Sequence, residues 1–130
     1  MASSSSRSLV EQHFLLHLCH ELANAASLEA MFGAVVEALV EATGFSRASV
    51  LTFDGAGVMR FRAWRGLSDA YRAAVEGHSP WGVDQRQARP IFVDDVERAA
   101  DLASLLPAFR REAIGSLAFL PIAGGGRLLG

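Results

Sequence analysis

At Gly44 the apolar period of this chain changes, and the change restricts it to folds that combine helices with an antiparallel sheet. Before Gly44, the residues Met31, Phe32, Val35, Val36, Leu39 and Val40 recur at the spacing of one helix face. Ser27 stands where an N-cap belongs and Gly44 where a glycine stop belongs, so a helix is expected over Leu28–Thr43. After Gly44, Ala48–Phe53 is rich in strand formers and residues 58–64 alternate strictly. The intervening DGAG, residues 54–57, is a hairpin signal. Arg60 and Arg62 fall on one face of the second strand and Met59, Phe61 and Ala63 on the other. One wet face and one buried face is the pattern of an antiparallel sheet.

The flanks extend this reading. Residues 1–8 read as a flexible Ser-rich leader. Ser8 and Glu11 fit a capping box, and Leu15, Leu18, Leu22 and Ala25, with Val10 and Phe14 beside them, predict a first helix over about 9–26. Ser68 is expected to cap a short helix over 69–76, stopped by Gly77. Residues 80–89 are irregular, and 90–93 is a short strand entered through a proline. Asp94 and Glu97 suggest a second capping box, opening a helix to about 113 that is interrupted near Pro107. Residues 114–122 read as a long apolar strand, 123–126 as a glycine turn, and 127–130 as the start of another strand. Helices gathered around adjacent hairpins give an α+β class with a single antiparallel sheet.

Composition narrows the function classes. The 130 residues suit one domain, long enough to bury roughly two-thirds of its unfolded surface. A net charge of −2 provides no basic field for nucleic acid or an anionic membrane. Cys19 is the sole cysteine, so an internal disulfide and a cysteine zinc set are excluded, and a reducing cytoplasm is the expected compartment. The longest apolar run, 114–122, falls short of the ~20 residues of a membrane span. Glu11, Gln12 and His13 interrupt any apolar stretch behind the start, so no signal peptide is expected.

Few residues propose chemistry. His13, His17 and His20 share one helix face beside Cys19, yet three ligands on one straight helix seldom converge on an ion. They read as a semi-polar stripe at a helix contact, and no metal is expected. Cys19 reads as a small buried hydrophobe. The Asp94–Asp95 pair reads as helix capping by Asp94 and not as an acid/base pair, and the glycines at 55–57 and 124–126 as turns without a phosphate-loop context. Ser116 lacks a nucleophile elbow, so no catalytic residue is expected. The remaining cluster is Arg65, Tyr71, His78, Trp81 and Arg89, which Phe109 of the later helix joins. Aromatic walls with a few aimed polar groups suit a small-molecule pocket. The same residues also fit a structural role, with Trp81 capping the core and His78 and the arginines on the surface. Val10, Phe14, Leu18, Leu22 and Ala25 carry more apolar reach than one sheet face requires, which points to a dimer contact through the first helix.

In order and spacing the chain resembles the GAF domain. The resemblance rests on Phe32 and LVEATGF (39–45) leading into Ala48–Phe53, on RPIFVDD (89–95), and on GSLAFLPI (115–122) with GRLLG (126–130). The stretch ending in His78, Ser79, Pro80 and Trp81 is similar to a form found in GAF domains of bacterial sensor kinases, including hybrid histidine kinases of two-component systems. The resemblance implies a GAF/PAS-like arrangement, with helices packed on one face of the sheet and loops and short helices covering a pocket on the other. It implies a regulatory input domain over 9–130, not an enzyme, that binds a small molecule or relays a conformational change through a homodimer to an adjoining output domain. A structural dimerisation module with a vestigial pocket is the alternative, and a small enzyme ranks last. In such domains the strand starting at Arg127 continues past Gly130 beside Ala48–Phe53, so the domain reads as truncated in its last strand. The bilin-attachment cysteine, the Asn-Lys-Phe-Asp-Glu motif of cyclic-nucleotide binders and the several cysteines of the methionine-sulfoxide-reducing members are all missing, so no cofactor is expected.

Overall fold

The structure, a computed structural model, describes residues 2–130, with side chains from residue 8 onward. It falls into two compact units. The first holds the residues up to Val50 together with Arg62–Gly66. Here α1 (Ala2–Ala23) packs against α2 (Leu28–Thr43). The local signals for α2 act as read. The Ser27 side chain accepts from the backbone N–H of Ala30 at 3.1 Å, and the Gly44 N–H, in a left-handed conformation, donates to the Val40 carbonyl at 2.9 Å. Val36 and Ala38 are buried. Two ion pairs fasten α2 to the far end of the second strand: Arg62 to Glu29 at 2.5 Å, with its guanidinium over the Phe32 ring, and Arg65 to Glu37 at 2.6 Å. Gly66, at φ +73°, leaves that strand where an added Cβ would collide with the Ser46 carbonyl oxygen, so only glycine fits the exit.

The second unit holds Leu51–Phe61 and Leu67–Gly130. β1 (Ala48–Phe53) and β2 (Met59–Arg65) pair as a hairpin whose turn half lies in this unit. Asp54 builds that turn: one carboxylate oxygen accepts from the N–H of Ala56 and of Val58, both at 2.9 Å, and the other takes the Arg60 Nε at 3.1 Å. α3 (Asp69–Val75) starts from the Ser68 cap. β3 (Ile91–Val93) pairs antiparallel with β4 (Leu117–Phe119), setting Ile91 opposite Phe119 and Val93 opposite Leu117. β5 (Ala123–Gly124) turns through Gly125 and Gly126 into β6 (Arg127–Leu128). The strands thus form three two-stranded ladders, and the Phe53 N–H reaches from β1 to the Leu129 carbonyl at 3.0 Å. Two 3₁₀ segments, Val96–Arg98 and Ala100–Leu105, lead into α4 (Leu106–Arg111). The unit's core is Val96, Leu105 and Phe109, with Tyr71, Val75 and Leu117 packed on it.

Four expectations need correction. α1 already runs from Ala2, so Ser8 lies within the helix and caps nothing. Cys19 is exposed, because α1 turns Phe14, Leu18 and Leu22 inward instead. The segment after β3 is no continuous α-helix. Asp95, not Asp94, is its cap, and the Val96 N–H donates to the Gly115 carbonyl at 2.9 Å. Pro107 lacks an N–H and would clash with a helical carbonyl four residues back, so the chain travels as 3₁₀ turns and restarts as α-helix with Pro107 in its first turn. The expected strand over 114–122 shrinks to β4. Ala113 takes a left-handed turn (φ 58°), the Ile114 N–H is held by the Phe109 carbonyl, and Pro121 cannot donate to a ladder.

The Asp54 turn gives the unfolding equilibrium an acid limb. Bonds from the Val58 N–H and then from Arg60 hold its carboxyl below the usual carboxylate range. The stabilisation is therefore complete above the ordinary pKa of about 4 and is lost as pH falls through the lower folded value. Asp54→Asn is expected to lower the urea midpoint at pH 7 and to flatten the fall in stability between about pH 5 and pH 2, relative to the parent chain.

Candidate ligand cavity

The cavity forms where α3 ends. The Ser68 cap aligns Tyr71 and Val75 one turn apart on the inner face of α3. Beyond α3, the Gly77 N–H donates to the Met59 carbonyl at 2.9 Å, and Glu76 accepts from the Phe61 N–H, so the chain is pinned to β2 before it enters the loop. In that loop the His78 Nδ1 lies 3.1 Å from the Val75 carbonyl oxygen. A carbonyl only accepts, so Nδ1 carries the hydrogen in this bond. The Trp81 N–H donates to the Ser79 Oγ, and the indole Nε1–H donates to the Arg89 carbonyl, both at 3.1 Å. Trp81 is 7% exposed and meets Phe119 edge to face, with ring centroids 6.4 Å apart.

Opposite this loop stands the second 3₁₀ segment, with Asp101, Leu102, Ser104 and Leu105, followed by Phe109 of α4. The cavity is partly open to solvent and has a volume of ≈ 120 Å³. Tyr71 and Phe109 tilt against each other in its wall, centroids 6.3 Å apart. A carboxylate latch fixes the two helices. One Glu112 oxygen accepts from the Ser68 N–H at 3.0 Å and the other from the Ser68 hydroxyl at 2.5 Å, while the same hydroxyl oxygen accepts from the Tyr71 N–H. The latch thus orders the N-terminus of α3, and with it Tyr71, from the C-terminal end of α4.

Of the residues singled out in the sequence, Tyr71, His78 and Phe109 line this one cavity. Trp81 stands behind Phe119, which does line it. Arg89 contributes its carbonyl to the indole, and its side chain is exposed. Arg65 belongs to the other compact unit, paired with Glu37. The wall consequently contains no arginine. Asp101, Ser104 and Phe119 were not singled out beforehand. The inward alternation of Leu117 and Phe119 on β4 was available as a signal for Phe119, but the helix expected over 94–113 hid the 3₁₀ path that brings the exposed Asp101 and Ser104 to the cavity's border. On α1 (Ala2–Ala23), Phe14, Leu18 and Leu22 are half-buried and Val10 is exposed; the helix stops short of Ala25, which is half-buried in the link to α2. Among the described residues no group of three or more His, Cys, Asp or Glu side chains is placed to hold a metal ion.

The family profile for the GAF domain matches residues 25–130. A domain of a protein described as a two-component sensor histidine kinase from Sinorhizobium meliloti 1021 is 42% identical, with a TM-score of 0.70 over 80% of this chain and 69% of that one. The chain belongs to the GAF domain family. Two more distant structures share the GAF fold. The GAF domain of the cyanobacteriochrome TePixJ is 20% identical, with a TM-score of 0.65 over 84% of this chain and 72% of that one. The GAF domain of a phosphoenolpyruvate-protein phosphotransferase from Coxiella burnetii is 22% identical, with a TM-score of 0.67 over 91% of this chain and 72% of that one. No curated protein matches the chain. Among the described residues of this GAF domain, no helix is long and apolar enough to cross a membrane.

The latch makes a direct prediction. Hydrogen bonds to a charged group contribute roughly 1.5–3 kcal/mol, so Glu112→Ala is expected to cost about that much in a urea melt. Glu112→Asp, whose shorter arm cannot span both Ser68 groups, is expected to fall between the two, with loss of amide protection concentrated at Tyr71 and Arg72.

Proposed function

We propose that this GAF domain is the sensory input module of a two-component signalling protein, and that its signal is a single-ring, neutral or weakly basic small molecule held between α3 and α4. The observation that carries the reading is the cavity itself. Aromatic and aliphatic side chains from α3, the 3₁₀ segment, α4 and β4 wall it, with His78, Ser79, Asp101 and Ser104 as the polar groups. Its ≈ 120 Å³ is close to the roughly 150 Å³ of an apolar cavity that takes one benzene ring. With an acid and no arginine in the wall, a carboxylate or phosphate ligand is disfavoured. The likeness to the sensor-kinase domain supports an adjoining output domain, and the single cysteine fits a reducing cytoplasm. A ligand acts here by its difference in affinity between two conformations, and no catalytic step is needed.

Thermal melts against a panel of benzene-, pyridine- and imidazole-based compounds test this. A binder present at one hundred times its Kd adds about 2.7 kcal/mol and raises Tm visibly. The rise is expected in the parent and absent in Ser104→Trp, which sets a bulky ring on the cavity's lining. Failure of every compound, or a rise that survives the tryptophan, sinks the ligand reading.

A second reading, assembly through α1, is favoured by Leu9, Val10, Leu15 and Leu16, which stand 66%, 68%, 57% and 71% exposed. Phe14, Leu18, Leu22 and Ala25 then form the half-buried seam with the protein's own body, and the mating surface shifts to the outward residues. Sedimentation is expected to show a dimer for the parent and a monomer for Leu16→Glu. Identical sedimentation of the two would remove α1 as the contact.

A further inference from the structure

A second concavity in the same unit shares no lining residue with the first and differs in chemistry. It is an open cleft of ≈ 410 Å³ between the loop Val83, Asp84, Gln85 and Arg86 and the β5–β6 turn, Gly125 to Leu128. The loop is itself fixed: the Gln85 N–H donates to the Gly82 carbonyl at 3.0 Å, and Val83 packs against Gly57 of the first hairpin turn.

The distribution of arginines sets this cleft apart. Arg60, Arg62, Arg65, Arg72, Arg98 and Arg110 each face a carboxylate. Among the described residues Arg86, Arg89, Arg111 and Arg127 face none, and of these four Arg86 and Arg127 line the cleft, from opposite sides. The N–H groups of Gly125 and Gly126, at the tip of the turn, are likewise unused by any hydrogen bond among the described residues. Consecutive backbone donors in a turn form an anion-accepting concavity, and a guanidinium presents a planar fork matched to an oxyanion. The one acid in the wall, Asp84, has its Oδ1 turned back over Gly82, 3.1 Å from where a Cβ there would stand.

We propose that this cleft binds a small multivalent oxyanion, a phosphate ester or polycarboxylate, clamped between Arg86 and Arg127 with the turn N–H groups as additional donors. Two forked cations on opposite walls suit a ligand with at least two anionic groups better than a single carboxylate. The site is independent of the aromatic cavity and gives the domain a second, chemically opposite input.

Amide-resolved NMR titration of the full chain with pyrophosphate, and separately with citrate, tests the proposal. Saturable shifts are expected at Gly125 and Gly126. Arg86→Ala and Arg127→Ala are each expected to weaken binding by about tenfold or more, as loss of a charge-assisted bond implies. Arg111→Ala, which removes an arginine outside the cleft, is expected to bind like the parent. Tighter pyrophosphate assigns the site to phosphate esters, and tighter citrate to polycarboxylates. Shifts that never saturate, or equal weakening in all three variants, mean diffuse charge attraction and overturn the proposal. All three arginines are exposed, so retained spectral dispersion confirms that the variants remain folded.

Discussion

Burial of Phe109 is the constraint around which the second unit is arranged. At 1% exposure its ring is the most deeply enclosed aromatic side chain, packed with Val96 and Leu105 and bordered by Tyr71. A fully buried phenylalanine carries about 3–5 kcal/mol against truncation, a large part of a stability of roughly 5–15 kcal/mol. Meeting that ring requires α3 to lie against α4, and the Glu112 latch satisfies the polar groups that the approach brings together. The aromatic cavity is the space left beside this contact, so the residues that hold the fold also wall the site.

Several elements were legible because their signals are local. Ser27 and Gly44 bound α2 where the sequence places its cap and stop, and Ser68 caps α3, since a capping side chain and its target lie within a few residues. The alternation of 58–64 located β2 to within one residue. What failed depended on partners far along the chain. The Val96 N–H goes to Gly115, nineteen residues on, and this bond, with Pro107 and the local turn in which the Ile114 N–H meets the Phe109 carbonyl, turns an expected helix and strand into 3₁₀ turns and a short β4. No periodicity reports such long-range capture.

The site was legible in the same uneven way. Tyr71 and His78 sit in one short stretch whose composition stands out, and the structure puts both in the wall with Phe109. Arg65 stands in that stretch too, but its charge is used by Glu37, a residue that no spacing rule connects to it. The paired and unpaired arginines look alike in a sequence. Only the placement of each carboxylate separates a guanidinium that fastens a strand from one that is left facing a cleft.

The bond from the Phe53 N–H to the Leu129 carbonyl joins the first ladder of the second unit to its last residues. A contact between such distant segments is late in time as well as long in sequence, because its loop-closure entropy must be met before it contributes anything. Until that bond forms, the outer edge of β1 is an open strand edge, a template on which the wrong chain can pair.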